Sequence, residues 1–114
     1  MTGKPHIKLD PLYQLLREGK IDEFNRRKGV GEKCDLRGCD FRALDLRGLD
    51  ASGLDFSDAY FHQADLRGLD LRQCRLEGAS LNMTKISGVY FPAELTADEI
   101  HLSVNYGTRL RYQR

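Results

Sequence analysis

The apolar positions of this chain recur every five residues. Counted from Leu36, the steps fall on Leu36, Phe41, Leu46, Ala51, Phe56, Phe61, Leu66, Leu71, Leu76, Leu81, Ile86 and Phe91, of which only Ala51 is small. Two residues before each lies a second inward candidate: Cys34, Cys39, Leu44, Leu49, Leu54, Ala59, Ala64, Leu69, Cys74, Ala79, Thr84 and Val89. The residue between the two is mostly polar, with Asp at 35, 40, 45, 50, 55, 65 and 70. Apolar–polar–apolar is strand alternation, so both apolar side chains point the same way. The remaining two positions often read Arg-Gly, as at Arg37-Gly38, Arg47-Gly48 and Arg67-Gly68. Glycine there lets the backbone turn a corner. An amphipathic helix cannot hold a five-residue stripe on one face, because five steps of about 100° drift round the axis. Three extended residues and a corner, repeated, close into a coil with an apolar interior.

Segments such as Ala64-Asp65-Leu66-Arg67-Gly68 and Cys34-Asp35-Leu36-Arg37-Gly38 resemble the unit of the pentapeptide-repeat family, and twelve such units fill residues 34–93 in unbroken phase. The resemblance implies a mainly β fold: a right-handed quadrilateral β-helix with four units to a coil. Twelve units then make three coils, about 15 Å tall at about 4.8 Å per strand. Four units per coil predict columns at a spacing of twenty: Leu36, Phe56 and Leu76; Phe41, Phe61 and Leu81; Leu46, Leu66 and Ile86; Ala51, Leu71 and Phe91. Leu at 44, 49, 54 and 69 departs from the family's usual Ala and predicts a wider or less regular coil at those corners, with Leu49 compensating for Ala51.

A coil has two open ends, and exposed strand edges need covers. Residues 1–33 read as an N-terminal helical cap. Asp10-Pro11 is an N-cap with proline at the first helical position, Leu12, Leu15 and Leu16 share a face, and Gly19 can end the helix. A second helical stretch runs from Lys20 to Lys28. Residues 94–114 read as a C-terminal helix and tail: Thr96 to Glu99 has the spacing of a capping box, and Gly107 can terminate. The tail from Thr108 fits a short strand, an arm or disorder.

Charge narrows the function. The chain has 18 Lys and Arg against 17 Asp and Glu, a net of +1, so it is neither a strongly basic nucleic-acid binder nor an acidic mimic of DNA. The repeats carry −2 and the N-terminal cap +3, with Arg26-Arg27-Lys28 as its basic cluster. No apolar run of about 18 residues exists to span a membrane. Met1 to Asp10 has no apolar stretch of the secretory type, and three cysteines suit reduced thiols, so a cytoplasmic protein is expected. Cys34, Cys39 and Cys74 occupy inward positions, and Cys34 and Cys74, two coils apart, lie beyond disulfide reach.

No spacing suggests catalysis, a metal or a cofactor. His6, His62 and His101 are scattered, and His62 should lie outside the coil near Arg42. A non-catalytic protein–protein interaction or scaffold module is therefore expected, with a protein partner, and a second copy of the chain is one candidate. Candidate contact residues are Ile100, Leu102, Val104, Tyr106, Leu110 and Tyr112 in the C-terminal segment, with Tyr60 and Tyr90, which interrupt the outward Asp positions. The resemblance adds two implications. Several family members dimerise through a C-terminal helical extension. The best-understood members mimic DNA and bind DNA gyrase, but those are long acidic rods, unlike this short, near-neutral chain.

Overall fold

Each five-residue unit contains one corner, and the corners share one hydrogen bond. The N–H that follows each corner donates to the carbonyl of the central apolar residue three positions back, as in Cys39 to Leu36, Ala64 to Phe61 and Val89 to Ile86. This is a β-turn, and φ is positive at its third residue in the Gly38, Gly48, Gly53, Gly68, Gly78 and Gly88 corners. Ala43, Asp58, Gln63 and Met83 adopt the same left-handed conformation without being glycine. The structure is a computed structural model that describes residues 5–113. Met1–Lys4 and Arg114, the outermost residues of the two expected cap segments, lie outside the described residues.

The units stack at the expected spacing. Parallel bridges join Asp40 to Tyr60 and Tyr60 to Ser80, Asp45 to Asp65 and Asp65 to Lys85, Asp55 to Arg75, and Asp70 to Tyr90. Every one of these pairs is twenty residues apart, so four units complete one coil. The outward residues then define four sides: 35/55/75, 40/60/80, 45/65/85 and 50/70/90. No strand longer than a single bridge forms among the described residues. The expectation of a mainly β chain is corrected accordingly: each side is only about three residues wide before the next corner, too short for a conventional strand.

The core lies inside the coils. Leu36, Phe56 and Leu76 are buried in one column, and Phe41, Phe61 and Leu81 in the next. Phe41 and Phe61 stack with ring centroids 5.1 Å apart, and Phe56 meets both rings edge-on. Irregularity is confined more narrowly than the four leucines suggested. Sides one and four lack the bridge between the first and second coils, and Gly53 donates to Gln73 where the regular partner is residue 72. Leu49 and Leu54 are buried around Ala51 at this corner, while the corners at Leu44 and Leu69 keep the regular bonds to Asp65 and Tyr90.

Among the described residues, three helices flank the coils. α1 (Pro11–Arg17) starts at Asp10, whose Oδ1 accepts the N–H groups of Leu12 and Tyr13. α2 (Ile21–Gly29) follows and buries Phe24. Tyr13 extends the aromatic stack onto Phe41, ring centroids 5.5 Å apart, and its hydroxyl donates to the Asp40 carbonyl. These segments also fill the first coil's edge. The N–H of Asp35 donates to Asp10 Oδ2, that of Asp40 to the His6 carbonyl, and that of Asp50 to Asn25 Oδ1. His6 pairs in parallel with Cys39, a strand that the sequence reading did not anticipate.

α3 (Ala97–Tyr106) covers part of the opposite end, capped by Thr96 and closed by left-handed Gly107. The expected capping box is only half made: Thr96 accepts the Glu99 N–H, but the Glu99 carboxylate turns to Arg111. Its fully buried Ser103 accepts the Leu81 N–H and donates to the Thr108 carbonyl. The tail then lies against side two as an antiparallel strand, Arg109 bridging to Ser80, and Leu76 donates to the Tyr112 hydroxyl on side one.

Candidate functional site

The outward Asp residues primarily hold corners. In Asp45-Leu46-Arg47, Asp45 Oδ1 accepts both the backbone N–H and Nε of Arg47, and Oδ2 accepts its terminal nitrogen. Asp65 with Arg67 and Asp70 with Arg72 repeat the arrangement. Ser52 and Ser57 replace Arg opposite Asp50 and Asp55. The bonds from Arg67 and Arg72 hold the Asp65 and Asp70 carboxyls down at about 2. The rows therefore present closed ion pairs, which contribute little singly. The basic cluster is likewise occupied: Arg26 pairs with Glu23, Arg27 with Glu32, and Lys28 with Asp50.

His62 and Ser80 form a nucleophile-and-base-like contact, with Nε2 2.9 Å from Oγ. Their separation of eighteen residues hid it in the chain, although neighbouring coils bring such residues together. Ser80 is buried, and its hydroxyl donates to the Gly107 carbonyl, so its proton is directed away from the imidazole. Burial, then Arg42, lowers the pKa of His62. The contact braces the tail. Burial raises the Cys74 thiol to about 12 and those of Cys34 and Cys39 to about 11, and all three cysteines are free. Among the described residues no group of three or more His, Cys, Asp or Glu is placed to hold a metal ion. No helix of the described residues is long and apolar enough to cross a membrane.

The candidate contact residues separate into two groups. Leu110, in the tail, is buried against the coil, Tyr112 is half-buried with its hydroxyl on Leu76, and Tyr60 is buried under Arg109, whose guanidinium lies 5.1 Å from the ring. Ile100 and Val104 are half-buried against the core. Leu102 and Tyr106 remain on the surface, Tyr106 at 76% exposure, and Tyr90 is exposed at 59% with Arg72 over its ring. Met83, not singled out from the sequence, is exposed at 63% in the last coil. It occupies a corner between two inward pairs, with a left-handed backbone.

The repeat, its twenty-residue register and its closed outward rows define a class before they define a relative: a coil of five-residue units with covered ends. A sequence model described as Pentapeptide repeats matches residues 32–61 and 55–91, in eight copies. With more than half of its length matched, the chain belongs to the pentapeptide-repeat family. Comparisons with curated proteins and with solved structures find no match.

Proposed function

We propose that the chain is a non-catalytic, cytoplasmic protein–protein interaction or scaffold module on a right-handed quadrilateral coil. The observation that carries this reading is where apolar surface remains. Met83, Tyr90, Leu102 and Tyr106 are exposed on the last coil and α3, and Ile7, Leu9 and Val30 in the N-terminal segment, whereas the charged rows are internally paired. Exposed apolar groups rimmed by polar residues suit a protein partner. The net charge of +1 argues against the DNA-mimic, gyrase-binding alternative.

The same residues support a second copy as one such partner, in a two-fold homodimer through residues 96–112, with Leu102 and Tyr106 at its centre. Affinity capture with the immobilised full chain, run beside sedimentation equilibrium, tests both readings. A partner or a dimer that Leu102→Arg releases, with the melting temperature unchanged, supports this surface. A chain that stays a 13.0 kDa monomer and retains no protein above a mock resin contradicts the proposal.

A further inference from the structure

The two ends of the coil are covered unequally, and the bare part of the last coil is specific. On sides one and two, Leu76, Gly78, Leu81 and Met83 donate to Tyr112, Leu110, Ser103 and Val104, and the Ala79 carbonyl accepts from Leu110. On sides three and four the equivalent groups have no partner among the described residues: the N–H groups of Ile86, Gly88 and Phe91, and the carbonyls of Thr84 and Val89. Lys85 and Gly88 are exposed along this edge, and Ile86, Val89 and Phe91 are incompletely buried. In the second coil the same positions are engaged: Leu66 donates to Lys85, Gly68 to Ser87 and Leu71 to Tyr90.

We propose that this edge, residues 84–91, is a docking site for an extended segment of a partner polypeptide, which adds as a further strand. The inference rests on the interaction-module reading and names the recognition chemistry within it. The neighbouring side supplies the precedent. There the chain's own tail lies on the same coil as an antiparallel strand, Arg109 against Ser80, with Leu110 exchanging bonds with Gly78 and Ala79. An added strand on side three would satisfy the Thr84 carbonyl as Leu110 satisfies that of Ala79, and would give the Ile86 N–H an acceptor where Leu81 has Ser103; main-chain bonds of this kind supply affinity in strand addition.

Charge selects the occupant. Side three carries Asp45, Asp65 and Lys85 outward, and Lys85 makes no ion pair among the described residues. Two copies pairing antiparallel about Lys85 would match Thr84 to Ile86 in both directions but set lysine directly against lysine, which is unfavourable. A segment with an acidic residue opposite Lys85 matches both the bonds and the charge.

The test uses the full chain and a synthetic peptide of alternating threonine and valine with a central glutamate, read by amide hydrogen exchange. Saturating peptide should slow exchange at Ile86 and Gly88 at least tenfold and leave Gly68 unchanged. Ile86→Pro, which removes a donor unused in the free protein, should abolish the effect; Lys85→Glu should transfer it to a peptide with central lysine. If Ile86→Pro does not fold, the charge exchange decides alone. No slowing at millimolar peptide overturns the proposal, as does protection of these amides in the protein alone that grows with its concentration, the mark of a second copy. A captured partner that both variants retain would leave the interaction reading standing and sink this edge as its site.

Discussion

Replacing Ser103 with alanine isolates what the C-terminal cap does for the coil. The Ser103 hydroxyl lies 2.8 Å from the Leu81 nitrogen and 2.6 Å from the Thr108 carbonyl oxygen, and the side chain is fully buried. Alanine leaves the Leu81 N–H buried without an acceptor, at a cost of about 1–3 kcal/mol. Thr108 is exposed, so water can replace its lost donor and little is added there. Alanine's better helix propensity returns about 0.5 kcal/mol. The net expectation is about 2 kcal/mol of destabilisation, or a fall of roughly 8–16 °C in melting temperature for a domain of this size. Urea unfolding followed by circular dichroism measures it, with exposed Asp98→Ala as the control on the same helix. A loss below about 0.5 kcal/mol would refute the view that α3 satisfies the edge of the last coil.

The corners predict opposite signs for two single-residue exchanges. Gly48→Ala should cost about 1–2 kcal/mol from its φ of 85° alone, because the added methyl meets only Ile21 at 3.8 Å. Ala43→Gly, at φ 63°, should be neutral or stabilising in the same melts, and equal losses would contradict the turn assignment. Acid should weaken the fold through Asp65 and Asp70. Their folded-state values near 2 lie below the ordinary 3.8, so their contribution is present above about pH 4 and fades as pH falls toward 2. Melting from pH 5 to 2 should show this slope, and Asp65→Asn with Asp70→Asn should flatten it. The thiols should alkylate slowly at pH 8, with half-buried Cys34 ahead of buried Cys39 and Cys74, and mass analysis should find no Cys34–Cys74 bridge.

The repeat was legible because its inward positions obey one rule, which placed Leu36 with Phe56 and Phe41 with Phe61 before any coordinates. Asp10 and Thr96 were legible as caps for a similarly local reason. What stayed hidden depends on contacts distant in sequence. His6 reads as an ordinary polar residue until its carbonyl meets the Asp40 N–H. Glu99 has the spacing of a capping box, yet Arg111, twelve residues on, takes its carboxylate. The buried face of α3 is Glu99 and Ser103, not an apolar stripe, because the coil beneath it needs acceptors as well as packing. Leu110 and Tyr60 looked like free surface for the same reason: the tail that carries Leu110 and covers Tyr60 cannot be placed by periodicity. The unequal cover of the two ends, which leaves Ile86 and Gly88 bare, also emerges only when each edge group is matched to its partner.

All of these placements depend on four units completing each coil, and nuclear Overhauser contacts between backbone protons test that directly. The account predicts cross-peaks linking the Phe41 amide to Tyr60, the Phe61 amide to Ser80 and the Leu66 amide to Lys85, following hydrogen bonds of 2.8, 2.9 and 3.0 Å. Cross-peaks at a regular spacing of fifteen or twenty-five residues would contradict it.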